Sequence, residues 1–199
     1  MRNIRQWLME KIPKSYQQLP LPIAERVKLT QSFYALDDQR FLSVSLATEE
    51  RVEDILTIEK LCYDGQTPWN RAALLHEIRY NRNAFYIIVT DHGKPVAFIG
   101  SWFVASEAHI TNIATIPSYE GKGIATFLIS ELKRIAESEN MTILSLEVRV
   151  SNNRAQRLYE KIGFKKGIIK KGYYANDHED ALEMAMMLPE KVVPQHSQD

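Results

Sequence analysis

Cysteine is almost missing from this chain: Cys62 is the only one in 199 residues. A single thiol excludes an internal disulfide and a cysteine-cluster metal site, and it fits a reducing compartment, so a cytoplasmic location is expected. An excess of either charge is also missing. Lys plus Arg and Asp plus Glu number 25 each, which leaves no bulk field to draw the chain onto nucleic acid or an acidic membrane; no direct nucleic-acid partner is expected. No window reaches the roughly 18 consecutive apolar residues of a membrane span, and the opening MRNIRQWLMEKIPKSYQQLP has no apolar core long enough for a secretion signal. The five histidines, at 76, 92, 109, 178 and 196, lack metal-ligand spacing, and no catalytic serine or cysteine motif occurs. No metal and no covalent acyl-enzyme are therefore expected, and no internal repeat is present.

What remains suits one α/β domain with an appendage. RFLSVSLA alternates Leu42, Val44 and Leu46 as a strand does, and Thr48 is placed to cap a helix carrying Val52, Ile55 and Leu56 on its inner face. Thr67 followed by Pro68 predicts a second helix start, running through Leu74, Leu75 and Ile78. AFYIIVT and VAFIGSWFV flank DHGK and predict a hairpin. AHITNIATI and ILSLEVRV read as strands on either side of a helix from Ala125 to about Asn140. NNRAQRLYEKIG reads as a shorter helix closed by Gly163, and ALEMAMML as a final strand. Residues 1–40, divided by Pro13, Pro20 and Pro22, read as an N-terminal extension. Ile4, Trp7, Leu8 and Ile12 share a helix face there, which suits packing against its own domain or a twin subunit in a homodimer more than docking elsewhere. Residues 41–189 form the main domain and residues 190–199 a disordered tail.

The stretch IPSYEGKGIATFLISELKRIAE puts Gly121 and Gly123 at the mouth of a helix. Unpaired amides and the helix dipole make such a place an anion cradle, with Lys122 and Thr126 within reach, although a tight strand-to-helix turn has the same pattern. It is not a Walker loop, and Thr126 breaks the dinucleotide pattern Gly-x-Gly-x-x-Gly.

The segments NIATIPSYEGKGIATFLISELKRIAE and LEVRVSNNRAQRLYEKIGFKKGIIKKGYYANDHEDALEMAM closely resemble the GNAT family of acyl-CoA-dependent N-acetyltransferases, within it the RimI type, which acetylates the N-terminal alanine of a small-subunit ribosomal protein. The likeness spans about residues 42–189. It implies a mixed, mostly antiparallel central sheet flanked by helices, with acetyl-CoA as co-substrate and a protein N-terminus, a ribosomal protein's, as acceptor. It further implies that two central strands splay, that Ile113, Ala114 and Thr115 pair with the pantetheine arm, and that Gly121, Lys122, Gly123, Ile124, Ala125 and Thr126 hold the pyrophosphate. One position departs: Glu120 stands where the family usually carries Gln or Arg, and a carboxylate beside phosphates weakens their grip.

The remaining assignments also follow from the resemblance. Glu147 matches the general base; by its residues alone it reads as a solvated strand position or the partner of Arg149. A carboxylate suits an α-amine, whose reference pKa of about 8 leaves a useful neutral fraction, better than a lysine near 10.4. Tyr159 matches the acid that protonates the departing thiolate; otherwise it is a core aromatic. Asn152 matches a cofactor contact and can also cap the following helix. Tyr173 and Tyr174 match the wall of the acceptor groove, with Trp69 on the opposite rim. Acetylation of a small amine or a lysine side chain, or a non-catalytic acyl-CoA-binding module, are the competing readings.

Overall fold

A computed structural model describes residues 21–63, 65 and 69–189. The expectations for Ile4, Trp7, Leu8 and Ile12, for a helix start at Thr67 and Pro68, and for the 190–199 tail fall on or run into residues outside that range. Eight strands form one sheet: β1 (Phe33–Ala35), β2 (Phe41–Leu46), β3 (Ala84–Asp91), β4 (Lys94–Val104), β5 (Glu107–Thr115), β6 (Ile143–Arg149), β7 (Lys165–Lys170) and β8 (Ala181–Met187). Their order across the sheet is β1-β2-β3-β4-β5-β6-β8-β7. Every neighbouring pair is antiparallel except β5 with β6. The mixed, mostly antiparallel sheet expected above is the one observed. It also reaches into the stretch that composition set apart, because β1 pairs with β2 and the short helix α1 (Ile23–Arg26) carries a fully buried Ile23.

Helices cover both faces because the central strands are apolar on both sides. Along β3 every residue is buried. Phe85, Ile87 and Val89 join a cluster with helix α4 (Ile124–Ser138). Tyr86 and Ile88 join a second cluster with helices α2 (Val52–Cys62) and α3 (Arg71–Tyr80). Period-two alternation thus feeds two layers at once. In α4, Ile124, Leu128, Leu132 and Ile135 fall at helical spacing and are all buried. Each such side chain contributes up to about 1.5–3 kcal/mol by leaving water. Helix α5 (Asn153–Ile162) ends at Gly163, whose φ of 120° favours glycine.

One predicted start moves. Thr48 makes no side-chain cap, and a 3-10 turn over Glu49–Arg51 leads into α2 instead. Asn70 caps α3, its Oδ1 accepting from the Ala73 amide at 2.8 Å, and that helix begins at Arg71. The DHGK hairpin forms as expected: Asp91 pairs with Lys94, and His92 and Gly93 both have positive φ.

The register of β4 on β5 shifts between Gly100 and Ser101, which pair with Asn112 and Ile110, so Thr111 is an extra residue on β5. Gly100 lies beside this bulge, and a Cβ there would come within 2.3 Å of the Tyr86 ring. Gly100→Ala is expected to destabilise the fold by about 1–3 kcal/mol through overpacking. Adding Tyr86→Leu restores most of that loss, as read from urea unfolding midpoints of the single and double variants.

Candidate active site

The parallel ladder between β5 and β6 holds only four pairs, from Glu107 opposite Ile143 to Ile110 opposite Leu146. Beyond it β5 continues against β4 alone and β6 against β8 alone. The parting leaves one backbone edge of Asn112–Thr115 without a strand partner, and a cavity of about 530 Å3 opens between the strands. Its walls bring together Ile113 from β5, Glu147 and Arg149 from β6, Asn152 and Tyr159 from the start and middle of α5, and Tyr173 and Tyr174 from the loop before β8.

Glu147 is the first β6 residue past the ladder. It does not partner Arg149. Its carboxylate accepts from Lys170 Nζ at 2.6 Å and from His109 Nε2 at 3.1 Å, with the Tyr173 hydroxyl 3.4 Å away. Burial by itself would raise its pKa, but the hydrogen bonds from His109 and Lys170 outweigh that and hold it at about 2. Lys170 is correspondingly raised, by its hydrogen bond to Glu147 first and to Glu183 second. Behind His109 a polar chain continues: Nδ1 lies 2.7 Å from Ser145 Oγ, which donates to the partly exposed Glu107.

Tyr159 is buried against Phe164, and that burial, with Tyr174 nearby, pushes its phenol up to about 12. The ring is thus both a core aromatic and a cavity wall. Asn152 caps α5 through Oδ1, which accepts from the Ala155 amide at 3.0 Å, and also faces the cavity. Tyr174 lies under the Arg149 guanidinium at 4.0 Å, and that guanidinium holds Asp177 at 2.7 Å and Glu179 at 2.6 Å. Tyr173 meets Tyr174 edge-on at 5.3 Å. Trp69 lines a smaller cavity of about 180 Å3 together with His109, Glu147, Tyr173 and Tyr174.

The glycine loop approaches from the other end of β5. Gly121 and Gly123 have φ of 73° and 80°, a left-handed backbone that explains glycine at both places. The first bond within α4 runs from the Phe127 amide to the Gly123 carbonyl at 2.9 Å. The amides of Ile124, Ala125 and Thr126 therefore have no acceptor inside the helix. Lys122 and Thr126 are exposed, whereas the Ile124 side chain is buried in the core and only its backbone can serve a ligand. Glu120 forms an ion pair with Arg154 of α5, so its charge is offset. Neither Ala114 nor Thr115 lines the cavity; Ala114 packs among α2 residues.

Three side chains went unmarked in the sequence. His109 was weighed only as a metal ligand, and Lys170 carried no site signal. Glu59 sat within an apolar helix face; it is buried, accepts from Asn112 Nδ2 at 2.7 Å, and is pushed up to about 7 by that burial. The signal for His109 is tertiary: it pairs with Ser145, two residues before Glu147, on the adjoining strand. Among the described residues no group of three or more His, Cys, Asp or Glu could hold a metal ion, and no helix is long and apolar enough to cross a membrane.

A mixed sheet parted at its centre, with a glycine-lined helix mouth beside the parting, defines an α/β acyltransferase class. A profile of the Acetyltransferase (GNAT) family matches residues 50–164, more than half of the chain, and the chain belongs to that family. A Bacillus subtilis (strain 168) protein, provisionally named a ribosomal protein bS18-alanine N-acetyltransferase, is 37% identical over 141 residues, covering 70% of this chain and 93% of its own. The Escherichia coli (strain K12) ribosomal protein bS18-alanine N-acetyltransferase is 38% identical over 100 residues, 49% of this chain and 68% of that one. The crystal structure of the Escherichia coli ribosomal-protein-alanine N-acetyltransferase superposes with a TM-score of 0.68 at 28% identity, covering 77% of this chain and 97% of that one. Ard1 from Thermoplasma volcanium shares the fold, with a TM-score of 0.66 at 22% identity over 75% of this chain and 99% of that one.

The depressed Glu147 has a consequence for acid stability. Its folded value of about 2 lies below the ordinary 4.5, so the charged carboxylate favours the fold above pH 4.5. That contribution fades as the pH falls from there toward 2. Lys170→Met removes one partner and raises the Glu147 pKa. The acid-unfolding midpoint followed by circular dichroism between pH 6 and 2 is expected to move upward.

Proposed function

We propose that the chain transfers the acetyl group of acetyl-CoA to the α-amine of a protein N-terminus, the N-terminal alanine of a small-subunit ribosomal protein being the acceptor. The observation that carries the chemistry is one cavity holding a half-buried carboxylate kept ionised, Glu147, and a buried phenol kept protonated, Tyr159. The acceptor assignment is supported by the names of the Bacillus and Escherichia coli relatives.

The residues fit acetyl-CoA on their own chemistry. A Cβ at Gly121 would meet nothing within 4 Å, so a phosphate has room against the backbone there. The unpaired amides at the mouth of α4 supply donors and the positive end of the helix dipole. The unpartnered edge of β5 offers main-chain groups to the amides of a pantetheine arm, and a β5 N–H can stabilise charge on the thioester oxygen. Asn152 keeps its amide N–H groups for the ligand while Oδ1 caps the helix. Acetyl-CoA supplies an activated acyl group, and the protein supplies position and proton traffic.

Glu147 draws the α-ammonium into the cavity. The carboxylate orients the amine and takes its proton as attack on the thioester carbon makes that nitrogen acidic, with His109 beside it. Its ring bridges Glu147 and Ser145 and so helps hold the carboxylate in place. Tyr159, near 12, holds its proton across the working range and donates to the sulfur as the thiolate leaves. Tyr173 and Tyr174 wall the acceptor side, with Trp69 across the smaller cavity. Arg149 clamps the loop that carries the tyrosines by holding Asp177 and Glu179.

The test offers acetyl-CoA with an Ala-starting peptide, the same peptide blocked at its α-amine, and a polyamine, and locates the acetyl group by mass spectrometry. Acetylation is expected on the free α-amine, and Glu147→Gln is expected to lower kcat/KM by about 10²–10³-fold. Tyr159→Phe lowers kcat with little change in KM for the peptide. Faster transfer to the blocked peptide or the polyamine, or unchanged turnover in both variants, overturns this reading.

A further inference from the structure

Helix α4 is fastened along its length by residues that lie before the family match, which begins at residue 50. Near its C-terminal end Arg26 pairs with Glu139 at 2.9 Å, and Arg134 Nη2 donates to the Lys28 carbonyl at 2.8 Å. In the middle, the amide and hydroxyl of Thr30 both donate to the buried Glu131 carboxylate at 2.6 Å. At the mouth, the Tyr34 hydroxyl donates to the Lys122 carbonyl at 2.7 Å, and the Tyr34 ring packs on Phe127 at 4.9 Å between centroids. Val27 is buried in the same core cluster, so the strap is part of the folded domain.

The contact with Lys122 is the one that bears on ligand chemistry. The Lys122 carbonyl and the Gly123 N–H belong to one planar trans peptide and point in opposite directions. A donor that holds the carbonyl on one side thereby directs the Gly123 N–H to the other. It also occupies an oxygen whose partial negative charge would otherwise be free to swing toward an anion. Tyr34 constrains the residue type as well, since a Cβ at Gly123 would lie 2.7 Å from its hydroxyl. The adjoining Gly121 has open space where Gly123 has this tyrosine.

We propose that Tyr34 is a positioning residue for diphosphate recognition: it locks the 122–123 peptide so that the glycine loop presents its N–H groups, not its carbonyl, to the diphosphate of the acyl donor. The segment 26–34 is the strap that brings Tyr34 to that place. This rests on the reading of acetyl-CoA as the donor. It assigns part of the N-terminal stretch a role in donor affinity that neither the glycine loop nor the catalytic pair needs for its own chemistry.

Tyr34→Phe keeps the ring on Phe127 and removes only the hydroxyl. Calorimetric titration of coenzyme A into the full chain is expected to show about three- to tenfold weaker binding in Tyr34→Phe than in wild type, the size of one lost hydrogen bond. KM for acetyl-CoA should rise by the same factor, with kcat and the KM for the peptide changing less than twofold. The second donor is S-acetylpantetheine, which has the same thioester and no diphosphate; with it the variant and wild type should turn over alike. Tyr34→Ala adds the loss of packing and should lower Tm further than Tyr34→Phe does. Equal coenzyme A affinity in wild type and Tyr34→Phe overturns the proposal while leaving the proposed function standing. A penalty of equal size with both donors also overturns it, because it reduces Tyr34 to a support of the fold. Wild type that gives no heat with coenzyme A overturns the donor assignment, and this proposal with it.

Discussion

Four residue pairs between β5 and β6 decide what this molecule can do. They are the only parallel contact in the described sheet, and they stop where β5 acquires an extra residue at Thr111. A bulge bends its strand and increases the local twist, so β5 follows β4 away while β6 stays with β8. Had the ladder continued, Asn112 to Thr115 would have spent their outer backbone groups on β6, and no cavity would exist. The last pair, Ile110 with Leu146, also fixes where Glu147 stands: it is the first β6 side chain with open space instead of a neighbouring strand.

The parting creates a place where burial and specific partners drive two titrating groups in opposite directions. Burial would keep Glu147 neutral, but Lys170 and His109 keep it charged, near 2. Tyr159 has no such partner, so burial prevails and its phenol moves to about 12. The same cavity therefore holds one group charged and the other neutral.

Local signals survived well wherever one residue's geometry settled the matter. Asp-His-Gly-Lys made its hairpin because Gly93 accepts a positive φ and His92 tolerates one. Gly163 closed its helix, and Gly121 and Gly123 bent the chain into α4, for the same conformational reason. The start of α3 is fixed by Asn70, whose side chain captures a first-turn amide. Strand β1 escaped because three residues are too few to show a period; it is held by pairing with β2, a tertiary fact. Of the candidate site, Glu147, Tyr159, Asn152, Tyr173 and Tyr174 were marked through family words and do share one cavity. His109, Lys170 and Glu59 were not, since each matters only through what it touches.

The sequence by itself determined the strand periods, the left-handed glycines at the helix mouth and the family, because these are properties of short stretches. Only the tertiary structure decided that Glu147 answers to Lys170 and His109 instead of Arg149, and that Glu120 is offset by Arg154. It alone brought a tyrosine 88 positions upstream onto the carbonyl of Lys122. The physical reason is the same in each case. Charge state and peptide orientation are set by whichever donors and acceptors lie within about 3 Å, and in a crossed, eight-stranded sheet those come from distant parts of the chain.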